Sequence, residues 1–117
     1  MLTIIGPEGG MEDATPEEMQ AVLDAWNDVT EEMKTAGVHV AGEALQPSET
    51  ATTVRAQGRD ERIITDGPYA ETKEQVGGFY LLDCDNLDEA IEWARKLPKR
   101  DGGVEVRPVM VFDEPQS

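Results

Sequence analysis

The chain reads as an α+β domain of the ferredoxin-like type: a split βαββαβ arrangement with a β-hairpin inserted between its halves. Three observations predict this. Two segments carry apolar residues at helical spacing, and each lies between short β-rich runs. A further pair of β-rich runs is joined by Gln57-Gly58-Arg59-Asp60, a connection suited to a hairpin. Finally, 117 residues with 38% hydrophobic content fit one domain, 1–117, with one modest core.

Each element has its own signal. Leu2-Thr3-Ile4-Ile5 is a short apolar strand, and Gly6 to Ala14 is a Gly- and acid-rich loop. Thr15-Pro16-Glu17-Glu18 starts a helix, with Thr15 as N-cap, Pro16 at N1 and Glu18 closing a capping box. Met19, Val22, Leu23, Trp26, Val29 and Met33 then form one apolar stripe, and Gly37 ends the helix. A strand is expected over Val38 to Leu45 and is broken by Gln46-Pro47-Ser48. The hairpin pairs Thr52–Arg55 with Arg62–Thr65. A charged turn leads to a strand over Gly78 to Asp83. Asn86 caps the second helix with Glu89 at N3; its stripe is Leu87, Ala90, Ile91, Ala94 and Leu97, and Pro98 stops it. Asp101-Gly102-Gly103 turns into a last strand, Val104 to Phe112, and a frayed tail, Asp113 to Ser117.

Charge is lopsided: 25 acidic against 10 basic residues give a net charge of −15. That argues against a nucleic-acid backbone or an anionic membrane surface as partner, because like charges repel. The chain opens without a basic-then-apolar leader and holds no apolar run of membrane-spanning length, so the expected location is the cytoplasm. The single cysteine, Cys84, excludes an intrachain disulfide and sits between Asp83 and Asp85, which disfavour a thiolate. There is no phosphate-binding glycine loop, no G-x-S-x-G and no His/Cys set for zinc, so no cofactor and no metal are expected.

The segment with the most information is Asp66-Gly67-Pro68-Tyr69-Ala70-Glu71-Thr72-Lys73-Glu74, followed by Gly77-Gly78-Phe79-Tyr80. Gly67 supports positive φ and Pro68 fixes its own φ, so the pair aims the Asp66 carboxylate while the chain reverses. This segment resembles the DGPF pattern of the YCII-related family, DGPFAETKE before a Gly-Gly-aromatic strand, with Tyr69 in place of Phe. The run Val104-Glu105-Val106-Arg107-Pro108-Val109 resembles that family's C-terminal pattern. The resemblance implies a dimeric α+β barrel: two ferredoxin-like sheets pair, helices cover the outside, and a cavity lies between or within subunits. It also implies a bacterial protein, a homodimer, and a role alongside sigma-factor regulation. Enzymes of the wider group are thought to pair a histidine with an aspartate near the start of the fold; this chain has no histidine before His39.

Strand alternation sorts the candidates. Val38, Val40, Gly42 and Ala44 form a small or apolar face expected against the helices. His39, Ala41, Glu43 and Leu45 form the opposite face, joined by Glu105 and Arg107 from the last strand. Facing a second subunit, these residues would line a polar pocket. Arg107 is a candidate clamp for a ligand carboxylate or phenolate; the alternative is an ion pair with Glu43, Glu105 or Asp66. Asp66 is a candidate general base, or a turn residue bonding backbone N–H groups. His39, the one histidine, is the other candidate for proton transfer, or a packed strand residue. Glu71 and Lys73 are candidates for the pocket mouth, with Lys73 attracting an anion, or else a solvated turn. Gly77 and Gly78 allow close approach of a ligand or mark a bulge. Tyr80 or Phe79 would supply an aromatic wall. The expectation is a small-molecule binding protein for an anionic or aromatic ligand. The alternatives are a cofactor-independent enzyme abstracting a proton from, or eliminating on, a small cyclic acid, and an interaction dimer with no ligand.

Overall fold

The computed structural model describes residues 1–7, 13–68, 74–99 and 101–112. Its elements are β1 (Leu2–Gly6), α1 (Pro16–Thr35), β2 (His39–Ala44), a short 3-10 turn (Ser48–Thr50), β3 (Thr52–Gln57), β4 (Glu61–Asp66), β5 (Gln75–Leu82), α2 (Leu87–Arg95) and β6 (Gly103–Val106). Four strands form one sheet in the order β2-β5-β1-β6, with every neighbouring pair antiparallel. Strands consecutive in sequence are thus separated by their helices, as in a split βαβ, and the α+β topology is compatible with a ferredoxin-like fold. β3 and β4 form a separate two-stranded sheet. The predicted tail Asp113 to Ser117, and residues 8–12 of the predicted first loop, lie outside the described residues.

Helix starts follow the sequence. The Thr15 hydroxyl accepts from the Glu18 N–H at 3.1 Å, and the Asn86 side chain accepts from the Glu89 N–H at 2.8 Å. Glu89 reaches back to accept from the Asp85 N–H at 2.9 Å, so one donor in the first turn of α2 and one just ahead of it are served. Asn86→Ala is expected to cost about 1 kcal/mol, read as a lower midpoint in urea, because it orphans the Glu89 N–H at the start of a nine-residue helix. An unchanged midpoint would show that water serves that donor equally well.

The core sits between the helices and one face of the sheet. Leu2, Val29, Met33, Val38, Tyr80 and Leu97 are buried, with Ile4, Trp26, Leu82, Trp93, Ala94, Val104 and Val106 packed around them. Register explains the sheet's share. Leu2 stands opposite both Tyr80 and Val106, and Ile4 opposite Gly78 and Val104, so these side chains share a face. The other face carries the cross-strand row Glu43–Phe79–Thr3–Glu105, with Ala41 and Leu81 beside it. No helix of the described residues covers this second face.

Several expectations need correction. The last strand ends at Val106, not Phe112. The Arg107 N–H still bonds the Met1 carbonyl at 3.0 Å, but Pro108 has no N–H to extend the ladder. Val109, Met110, Val111 and Phe112 are exposed. In α2 the predicted stripe departs at one end: Leu87 is exposed, whereas Ala94, and Leu97 just beyond the helix, join the core, with Trp93 packed beside them. The first helix buries only half its stripe: Val29 and Met33 are buried, whereas Met19 and Leu23 are 43% and 54% exposed. β5 begins at Gln75, three residues earlier than its Gly-Gly pair suggests. Most consequential, the pairing of β2 with β5 shifts between His39 and Ala41. Val40 is the extra residue and is exposed. His39 therefore stands opposite Leu82, on the helix-covered face, rather than with Ala41 and Glu43.

Candidate functional site

The half-buried stripe of α1 and the bulge in β2 make one site between them. Under the N-terminal half of α1 the sheet presents Gly42, Ala44 and Gly78, which bring almost no side-chain bulk. A cavity of about 480 Å³ lies between this half of the helix and the sheet. Its lining includes Val22, Leu23 and Trp26 from α1 and Ile4, His39 and Tyr80 from the sheet. That size lies within the range of small-molecule pockets, and the lining is mostly apolar with a few polar groups.

Two of the floor glycines are required by their neighbours. A Cβ on Gly42 would stand 2.8 Å from the Tyr80 ring and 3.1 Å from the Phe79 carbonyl oxygen. One on Gly78 would stand 2.6 Å from the Glu43 carbonyl oxygen. The Tyr80 ring thus lies across Gly42, and β5 approaches β2 closely at Gly78.

The polar groups can be oriented. The Thr30 hydroxyl donates to the Trp26 carbonyl at 2.9 Å. Its one proton being so used, the 2.8 Å contact between Thr30 and Tyr80 has the tyrosine as donor. The phenolic oxygen keeps its lone pairs as acceptors. The His39 ring meets Tyr80 edge to face, with centroids 6.2 Å apart and planes at 76°. The site offers a ligand aromatic and aliphatic walls, a phenolic acceptor, and an imidazole that donates or accepts.

The other predicted site residues lie elsewhere. By register, Glu43 and Glu105 belong to the open face of the sheet, at opposite edges of one row with two strands between them; Glu43 adjoins the cavity only as a rim residue of β2. Arg107, well exposed, pairs with the half-buried Glu105 at 2.7 Å and does not line the cavity. Asp66 is exposed at the end of β4, opposite Thr52. Among the described residues its side chain makes no hydrogen bond; the turn is held instead by Gly67, at φ +96°, whose N–H bonds the Ala51 carbonyl at 2.7 Å and whose carbonyl accepts from the Thr53 hydroxyl at 2.6 Å. Lys73 and Glu71, with Tyr69, Ala70 and Thr72, lie outside the described residues. A second hollow of about 530 Å³ at the hairpin base is lined by residues such as Leu45, Pro47, Pro68 and Val76, and among the described residues it holds none of the candidate side chains.

Cys84 is a poor nucleophile. Burial pushes its thiol above the ordinary range, and Glu89, Asp83 and Asp85 add to the effect. Among the described residues, no three His, Cys, Asp or Glu side chains converge on a possible metal site. No helix of the described residues is long and apolar enough to cross a membrane.

Sequence reasoning missed Trp26, Thr30 and the small-residue floor as parts of one site. The stripe of α1 gave Trp26 as core, and nothing in the sequence shows that the helix lifts away from Gly42, Ala44 and Gly78.

The model of the YCII-related domain matches residues 4–113, nearly the whole chain. The chain belongs to the YCII-related family, for which DGPF is another name. It is also similar to the Uncharacterized protein R00369 of Rhizobium meliloti (strain 1021), at 48% identity over 71 residues. That match spans 58% of this chain and 56% of the relative's length.

Proposed function

We propose that the protein binds a small aromatic molecule in the cavity between α1 and the sheet. The observation that carries this reading is the small-residue floor of Gly42, Ala44 and Gly78 beneath a pocket walled by Trp26, His39 and Tyr80. A ring fits between the indole and the floor, and a hydroxyl or N–H on it meets the Tyr80 oxygen or His39. Arg107, held by Glu105 away from the lining, has no part in this pocket. The ligand favoured is therefore aromatic with one donor group rather than a strong anion.

The test uses Trp26 fluorescence and thermal unfolding against a panel of phenols and phenolic acids. At least one is expected to quench saturably and raise the melting temperature, since a ligand binding only the native state stabilises it. Ala44→Phe fills the floor and is expected to abolish both effects while leaving unfolding without ligand cooperative. Saturable binding of unchanged affinity in Ala44→Phe would overturn the site.

A second reading is favoured by one observation, that the single histidine faces this cavity. The cavity would then be the site of a cofactor-independent proton abstraction on a small cyclic acid, with His39 as base. It requires turnover that His39→Gln loses and the folded state survives. Asp66, at the end of β4, is not among the residues that line this cavity.

The protein is further proposed to act as a homodimer. Phe79 and Leu81 are half-buried on a sheet face that no helix of the described residues covers, and Leu45, Val76 and the run Val109 to Phe112 are exposed apolar residues. Such surface on a soluble chain marks an association site. In a barrel arrangement these faces turn toward each other.

A further inference from the structure

The hydroxyls of the cavity form a chain with a fixed direction. Thr30 and Tyr80 both border the cavity, one from the helix and one from the sheet. Tyr80 is buried, and its ring lies so close over Gly42 that a Cβ there would stand 2.8 Å from it. The His39 ring meets it edge to face. With the ring seated in this way, its hydroxyl is left to turn about its own C–O bond.

Thr30 settles where that hydroxyl sends its proton. A threonine has a single O–H, and this one is given to the Trp26 carbonyl four residues back, at 2.9 Å. The Thr30 oxygen has only lone pairs left for Tyr80, 2.8 Å away, so the tyrosine donates. Toward a guest the phenolic oxygen is then an acceptor alone. A guest that brings a hydroxyl or an N–H completes the chain. One that brings only an ether oxygen sets lone pair against lone pair and leaves both unpaired. His39 does not undo this choice, because a neutral imidazole has one nitrogen that donates and one that accepts, and so takes either kind of guest. At the rim the Glu43 carboxylate also accepts only.

We infer that Thr30 sets the specificity of the cavity: by taking the Tyr80 proton it makes the pocket select phenols and N–H aromatics and reject their O-methyl ethers. This rests on the aromatic-ligand reading above and adds the device that decides which aromatics enter. Thr30 acts through Tyr80 and is a positioning residue. Its contribution is the direction of one hydrogen bond, not bulk or charge.

The test titrates the full-length chain with 4-methylphenol and with 4-methylanisole, which differ by one methyl group on the oxygen, by isothermal titration calorimetry. The wild type is expected to bind the phenol about tenfold or more tighter. Thr30→Val removes the acceptor at nearly constant shape and frees the Tyr80 proton to turn toward the cavity. The preference is then expected to fall to about threefold or less, with the anisole gaining affinity. Thr30→Ser keeps the hydroxyl and should restore the wild-type preference. A merely structural role for Thr30 would weaken both probes alike and leave their ratio unchanged. Thr30→Ala removes the same oxygen and replaces Thr30→Val if circular dichroism shows the valine variant unfolded. Failure of both probes to bind the wild type in a manner that Ala44→Phe abolishes overturns the aromatic-ligand reading, and the selectivity with it. Binding of 4-methylphenol there without preference over 4-methylanisole, or with a preference that survives loss of the Thr30 hydroxyl, overturns the role of Thr30 alone.

Discussion

Gly102→Ala is expected to lower the melting temperature by on the order of 10 °C or more. Gly102 holds φ at +71° in the turn before β6, and an added Cβ would collide with the Ile5 carbonyl oxygen and the Gly6 Cα. Left-handed backbone costs a non-glycine residue roughly 1–2 kcal/mol. Relieving the collision adds about 1–3 kcal/mol, because the backbone of β1 must move. In a domain this small each kcal/mol shifts the midpoint by roughly 4–8 °C. Gly103→Ala is the control: its Cβ would meet nothing within 4 Å, so that variant should unfold near the wild-type temperature. Equal midpoints for the two variants would mean that the turn relaxes without disturbing β1.

Met33→Ala is expected to destabilise the domain by about 2–5 kcal/mol, measured by urea denaturation. Met33 is fully buried and joins Val29, Val38 and Leu2 under the C-terminal half of α1, the part of the helix that does reach the sheet. Truncation there opens a void in a core of six buried residues, with little else to absorb it. Met19→Ala, on the same stripe but 43% exposed, should change stability by no more than about 0.5 kcal/mol. The contrast between two methionines on one helical stripe measures how far α1 stands off the sheet. Comparable losses would place the first half of the helix in contact with the core, and the cavity would not persist in solution.

Much of the fold was legible because its signals are local. The Thr15 and Asn86 caps, the stripes of both helices and the Gly58 turn each specify a piece of backbone within a few residues. The site was legible only in part, because its geometry depends on register. Alternation along β2 correctly separates Gly42 and Ala44 from Ala41 and Glu43. It fails at His39 because one unpaired residue, Val40, shifts the register and puts His39 opposite Leu82. The end of β6 is a different case. Pro108 stands in plain view in the sequence, but the apolar run Val109 to Phe112 reads as strand on composition alone. Tyr80 was expected as an aromatic wall; that its ring rests across Gly42 follows from a cross-strand pairing no local pattern reveals.

The cavity floor has a consequence for how such a pocket changes over generations. Gly42 and Gly78 are locked by the Tyr80 ring and the Glu43 backbone, so neither accepts even a methyl group without local rearrangement. Ala44 is already substituted, and Gly77, which also borders the cavity, has open space where a side chain would start. Variation in bulk is thus channelled into two positions on adjoining strands. Descendants of this chain can exchange one guest for a smaller or larger one there, while the hydrogen-bonded scaffold beneath is inherited unaltered.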